Sequence, residues 1–135
     1  MITRDWEEIV LIYEDLRSKG VAVDQMVQLS RRICRTRLAT ALHGWTSMHD
    51  LFVTQYPVAY PYDGPRLLIA PRFNGTTEFR YVDTSERASQ WRRTAADSEV
   101  WALLLGFLSQ LSWLSKAELC DLGTVPTNIA AEKRP

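Results

Sequence analysis

The sequence predicts an α+β domain in which an N-terminal helical hairpin and a long C-terminal helix pack on a small antiparallel sheet of three or four strands. Two stretches near the N-terminus, each followed by a glycine, carry apolar residues at helical spacing. The stretch RLLIAPRFNGTTEFRYVD, residues 66–83, places an Asn-Gly turn between two β-type segments. A strongly apolar run over residues 100–114 predicts the final helix.

The first helix is predicted to begin after Thr3 or Asp5, because either side chain can cap a helix N-terminus. Gly20 is a natural end for it. The second helix is predicted to run from Asp24 toward Leu42. The apolar side of the first helix consists of Trp6, Ile9, Ile12, Tyr13 and Leu16, and that of the second of Met26, Leu29, Ile33, Leu38 and Ala41.

The segment ALHGWTSMHDLF, residues 41–52, contains both histidines of the chain, His43 and His49. Gly44 suits the residue after a helix, and Ser47 with Asp50 three positions later has the spacing of an acidic capping box that would open another short helix. Histidines six positions apart do not share a helical face, as the ligands of a helical zinc site do. We therefore predict a structural corner rather than a metal or nucleophile site.

In the hairpin, Asn74 and Gly75 are predicted to be the two turn residues, since both tolerate positive φ. That register pairs Phe73 with Thr76, and it predicts a core face made of Leu68, Ala70, Phe79 and Tyr81. A third strand is predicted at residues 89–94 with Trp91 pointing inward.

Asp97 and Ser98 are predicted to open the C-terminal helix, with Trp113 pointing away from its wide apolar side. Residues 1–120 are predicted to form one domain, and residues 121–135 a weakly ordered tail. Trp113 would then pack under the tail or be exposed for a partner.

The composition is that of a folded soluble protein, with 46% hydrophobic residues, 24% charged residues and zero formal net charge. The N-terminus carries acids where a secretory signal would carry a basic and then an apolar region, so we expect a cytoplasmic location and no membrane association. Cys34 and Cys120 belong to no close-spaced pair and are expected to be free, buried thiols, with a disulfide as the alternative. No metal or cofactor is expected.

Bases are concentrated in the middle of the chain, where residues 31–93 hold ten bases and five acids. Nucleic acid, an acidic protein partner and a simple solvated face could each explain this. Zero net charge, only three lysines and the lack of a binding motif argue against nucleic acid. The arginines that could form a basic surface are Arg31, Arg32 and Arg35, with Arg72, Arg80, Arg92 and Arg93 as further members.

An acid–base nuclease or hydrolase is the catalytic alternative, because Glu78, Arg80 and Asp83 could assemble with His43 or His49. No spacing in the sequence demands that assembly. We therefore predict that the protein is not an enzyme.

The segment TQYPVAYPYDGP, residues 54–65, holds three tyrosines and three prolines. It predicts either a lid over a sheet edge or a preorganised recognition loop, because tyrosine offers a large contact area with few rotors to freeze. The predicted partner-binding residues are Tyr56, Tyr60, Tyr62, Arg31, Arg35 and Trp113.

The segments HGWTSMHDLF, YPVAYPYDGP and FNGTTEFRYVD give the chain a resemblance to small cytoplasmic immunity proteins of bacterial toxin systems. The resemblance covers most of the chain. It implies a stoichiometric inhibitor that binds one cognate toxin, without catalysis or cofactor. The segregation of acidic and basic regions would then favour fast association with that partner.

Overall fold

The structure is a computed structural model that describes residues 2–122. Most of the predicted C-terminal tail therefore lies outside the described residues. The helices are α1 (Trp6–Ser18), α2 (Asp24–Cys34), α3 (Leu38–Ala41), α4 (Val100–Gln110) and α5 (Lys116–Cys120). The strands are β1 (His43–Ser47), β2 (Asp50–Thr54), β3 (Arg66–Pro71), β4 (Thr76–Val82) and β5 (Trp91–Ala96).

The five strands form one antiparallel sheet in which each strand neighbours the next one along the chain. The α+β class is confirmed, but the sheet has five strands instead of three or four. The two additional strands come from residues 43–54, where we predicted a helical corner. That prediction is wrong because Ser47 ends β1 and Asp50 begins β2, so the two residues flank a hairpin turn and cap no helix.

Gly44 serves a packing role instead of ending a helix. It lies in β1, where a Cβ atom would stand 2.9 Å from the backbone oxygen of Phe52 and 3.0 Å from the Trp6 ring. The Trp6 indole also donates a hydrogen bond of 3.0 Å to the backbone oxygen of Leu42. Glycine is therefore required here by the close approach of α1 to the sheet.

The helical hairpin is confirmed, since α1 and α2 pack against each other. The second helix is shorter than predicted and ends at Cys34. The next helix, α3, begins at Leu38, whose backbone N–H donates to the Thr36 hydroxyl at 3.2 Å. The predicted long C-terminal helix also ends early, at Gln110 instead of near Leu114, because Ser112 adopts a left-handed φ of 60°; a separate short helix, α5, follows after its cap Ser115.

The β3–β4 register differs by one residue from the predicted register. Ala70 pairs with Glu78, and Leu68 pairs with Arg80. The turn spans three residues, 73–75, closed by a 3.1 Å bond from the Arg72 N–H to the Thr76 oxygen, and Phe73 supplies a positive φ of 63°. A shift of one residue reverses the face of each side chain on a strand. Leu68 and Ala70 are buried but lie on the face opposite to the predicted one, whereas Phe79 and Tyr81 share the core face with Leu67 and Ile69.

The core lies between the helices and one face of the sheet. Trp91 lies on this face as predicted, with its ring centroid 4.6 Å from that of Phe107 in α4. The other face carries side chains that do not belong to the main core cluster of the described residues, and we call it the open face. Its strand residues include Trp45, Ser47, Asp50, Phe52, Leu68, Ala70, Glu78, Arg80, Arg92 and Thr94, and the Arg72 side chain reaches Glu78 on this face from just beyond β3.

No helix within residues 2–122 has the length and apolar character to cross a membrane. Both cysteines are free. Cys34 is half-buried and Cys120 is exposed, so the expectation of two buried thiols is wrong for Cys120.

Candidate functional site

The loop between β2 and β3, residues 55–65, is held to the rest of the protein at several points. Its centre is fixed by Val58, which is buried and accepts a 3.0 Å hydrogen bond from the backbone N–H of Ile2. Its start is fixed by the Thr54 hydroxyl, which donates to the backbone oxygen of Tyr56 at 2.7 Å. Near its end, the backbone N–H of Thr84 donates to the oxygen of Asp63 at 3.2 Å. The loop is therefore preorganised.

Two of the three predicted tyrosines are presented to solvent on this loop. Tyr56 is 67% exposed and Tyr60 is 83% exposed. Tyr62 is half-buried, and its hydroxyl donates to the Pro65 oxygen at 2.8 Å. Burial raises the pKa of the Tyr62 phenol, and the nearby Arg66 charge opposes this rise. Tyr62 thus helps to shape the loop, while Tyr56 and Tyr60 are free to contact a partner.

The predicted arginines of α2 lie in the helical layer. Arg31 donates from Nε to the Glu14 carboxylate of α1 at 2.8 Å and so joins the two helices of the hairpin. Arg35 is exposed and forms no ion pair with the described residues. Both line a groove of about 610 Å³ between α2 and the C-terminal helices, together with Trp101, whose ring lies 4.4 Å from the Arg32 guanidinium carbon.

The predicted partner-binding residues do not form one continuous cluster. In the part of the chain that the structure describes, no hydrogen bond or ion pair joins Arg31 or Arg35 to the β2–β3 loop. Trp113 is half-buried and packs against the core cluster. The β2–β3 loop with its three tyrosines, which we call the tyrosine loop, is therefore the part of the predicted surface whose members lie on one segment.

The open face contains an ionic cluster that sequence reasoning did not assemble. Glu78 is only 6% exposed. Its carboxylate accepts a hydrogen bond from Arg80 Nε at 3.2 Å and forms ion pairs with Arg92 Nε at 3.0 Å and Arg72 Nη1 at 3.6 Å. All three arginines belonged to the predicted basic surface. The approach of Arg72 and Arg92 to this carboxylate depends on the β3–β4 and β4–β5 registers, which local sequence patterns do not give.

Asp50 lies on the same face at the start of β2. Burial raises the pKa of its carboxyl group above the ordinary value; the Arg80 charge and, to a smaller extent, His49 oppose this rise, whereas the Glu78 carboxylate adds to it. The proposed acid–base set is only partly brought together. His43 begins β1 at the end opposite to His49, and Asp83 accepts hydrogen bonds from Ser85 beyond the far end of β4.

Among residues 2–122, no group of three or more His, Cys, Asp or Glu side chains is arranged to hold a metal ion. The chain was also compared with known proteins. No protein-family model, curated protein or solved structure matches it.

Proposed function

We propose that the protein is a protein-binding module of the immunity type, which neutralises a cognate bacterial toxin in the cytoplasm by stoichiometric binding and without catalysis. The observation that carries this proposal is the anchored β2–β3 loop, from which Tyr56 and Tyr60 project into solvent. The resemblance to immunity proteins supports the choice of a toxin as the partner.

Binding a partner protein has an entropic cost. A protein interface must offset the entropy of ordering its loops and side chains. Here the bonds at Thr54, Val58 and Asp63 order the loop before any partner arrives. Exposed tyrosines on such a loop supply large contact area with few torsions to freeze, and tyrosine is common among residues that dominate binding energy.

The test uses the toxin-like product of a reading frame adjacent to the gene of this protein. We expect the wild-type protein to bind it with one-to-one stoichiometry in calorimetry and to protect cells that express it. The double variant Tyr56→Ala/Tyr60→Ala should bind at least about tenfold more weakly, because two interface anchors are removed. It should unfold at the wild-type temperature, since both side chains are exposed.

The matched control is Tyr62→Phe, which keeps the aromatic ring and removes the hydroxyl that bonds to Pro65. We expect this variant to retain most of the affinity. Full protection by the double alanine variant would remove the loop from the interface. Absence of both binding and protection with the wild-type protein would overturn the immunity proposal.

Acid–base hydrolysis is a second candidate, favoured by Asp50, because burial raises the pKa of its carboxyl group and Arg80 and His49 lie near it. Hydrolysis of RNA or DNA by the purified protein, lost in Asp50→Asn, would replace the binding proposal. We expect no such activity, because Asp83 and His43 lie away from this group.

A further inference from the structure

We propose that the open face is a second contact surface, on which Arg72, Arg80 and Arg92 form a clamp for carboxylates of an acidic segment of the partner protein. This inference rests on the proposed function, because it takes the partner to be a protein. It assigns a role to a face that is separate from the tyrosine loop.

The clamp is organised by Glu78. This carboxylate is buried, while the arginine side chains around it are 53% exposed for Arg72, 40% for Arg80 and 63% for Arg92. Each guanidinium group has five N–H donors, so a single carboxylate cannot satisfy three of them. Most of the donors therefore stay available to a second anion, and Glu78 holds them in place for it.

The placement of the arginines costs stability in the absence of a partner. Arg80 and Arg92 are directly opposite each other in the β4–β5 register. Like charges at such positions repel. Glu78 offsets part of this repulsion, but three arginines around one carboxylate leave an excess of two positive charges. Ionised Asp50 on the same face would reduce the excess to one. A carboxylate from the partner would therefore find a complementary potential here.

The neighbouring residues make the face suitable for a protein. Trp45 and Phe52 are stacked, with centroids 5.1 Å apart and rings inclined by 4°. The register continues this row from Phe52 through Leu68 to Arg80, so an apolar contact lies beside the cations. Aromatic residues and arginine are enriched in protein interfaces. Zero net charge and the presence of only three lysines favour carboxylates over the phosphates of nucleic acid.

The clamp can be tested without the toxin, using a fluorescently labelled oligoglutamate peptide and fluorescence anisotropy at low ionic strength. We expect the wild-type protein to bind this probe. Arg80→Gln and Arg92→Gln should each weaken binding by about tenfold, because each removes one charge-assisted contact. The matched control is Arg93→Gln, which removes the same charge from the same strand on the other face, where Arg93 lies over Trp91.

Glu78→Gln distinguishes an ordered clamp from a general positive surface. The substitution raises the positive charge of the cluster by one, so attraction by charge alone predicts tighter binding. We expect weaker binding, because the arginines lose the carboxylate that orients them. Tighter binding would overturn the clamp, and thermal unfolding of each variant shows whether the fold is retained. If Glu78→Gln does not fold, the comparison of Arg92→Gln with Arg93→Gln decides the question.

A single-stranded oligothymidylate serves as the second probe. Binding of this probe in preference to oligoglutamate, with the same sensitivity to Arg80→Gln and Arg92→Gln, would overturn the proposal in favour of a nucleic-acid ligand. Equal effects of Arg92→Gln and Arg93→Gln would also overturn it. These outcomes leave the loop test unaffected, since that test uses Tyr56 and Tyr60 with the toxin.

Discussion

The hydroxyl of Tyr13 donates a hydrogen bond of 3.0 Å to the backbone oxygen of His49. This bond joins α1 to the turn between β1 and β2, so the helical layer determines the position of that turn. Tyr13 is fully buried. Burial raises the pKa of its phenol far above the ordinary value, and the Asp50 carboxylate raises it further. Tyr13 therefore remains a neutral donor at all physiological pH values.

Tyr13→Phe should lower the free energy of unfolding by about 1–2 kcal/mol, because the His49 oxygen loses its partner while the ring packing is retained. Urea unfolding measures this change. Tyr60→Phe is the control, since the Tyr60 side chain is exposed, and it should change stability by less than about 0.5 kcal/mol. Equal stability of Tyr13→Phe and wild type would show that the bond contributes nothing to the fold.

Gly44→Ala should destabilise the protein by about 1–3 kcal/mol, because the new methyl group would crowd the Phe52 oxygen and the Trp6 ring. Gly106→Ala in α4 is the matched control. Apart from its chain neighbours and the backbone of its own helix, no atom lies within 4 Å of its added Cβ, and alanine is the better helix former, so stability should rise by up to about 1 kcal/mol. Thermal unfolding of both variants measures these opposite changes in stability. Destabilisation by both substitutions would contradict the role of Gly44 in packing.

Cys120 should react with a thiol reagent before Cys34. Cys120 is exposed, whereas burial raises the pKa of the Cys34 thiol and the nearby Glu7 carboxylate raises it further, against a smaller opposing effect of Arg35. The thiolate is the reactive form. Single variants Cys34→Ser and Cys120→Ser assign the two phases of the reaction. Faster labelling of Cys34 would contradict the structure.

Asp50→Asn should stabilise the protein at neutral pH. Since the folded-state pKa of Asp50 is raised, the folded state binds more protons than the unfolded state just above the ordinary pKa of about 3.9. Stability linked to this group is therefore present below that pH and is lost as pH rises through the folded-state pKa. We expect the variant to unfold at a higher temperature than wild type at pH 7, with the difference shrinking in acid.

The control for this pH dependence is Asp24→Asn. Asp24 is exposed and pairs with Arg17 at 3.5 Å on the surface. Loss of such a pair changes stability little and in the destabilising direction. A lower unfolding temperature for Asp50→Asn than for wild type at pH 7 would contradict the assigned direction of the pKa shift.

Local sequence patterns predicted the structure correctly where that structure depends on a single segment. The spacing of Trp6, Ile9 and Tyr13 predicted α1 and its buried side, because helical periodicity is a property of the segment itself. Asn74 and Gly75 predicted a hairpin for the same reason. The predicted β3–β4 register was wrong because Phe73 adopts a left-handed conformation, which is uncommon for phenylalanine and cannot be predicted from its residue type.

The sequence by itself determined the α+β class, the helical hairpin, the inward position of Trp91 and the tyrosine-rich loop as a candidate surface. Only the tertiary structure decided that residues 43–54 are strands, because the hairpin they form is held by β3, the Trp6 ring and the Tyr13 hydroxyl, which come from other segments. It also decided that Glu78 holds three arginines, since Arg72, Arg80 and Arg92 meet only when β3, β4 and β5 are aligned. Contacts between segments depend on register and layer packing, which local spacing does not encode.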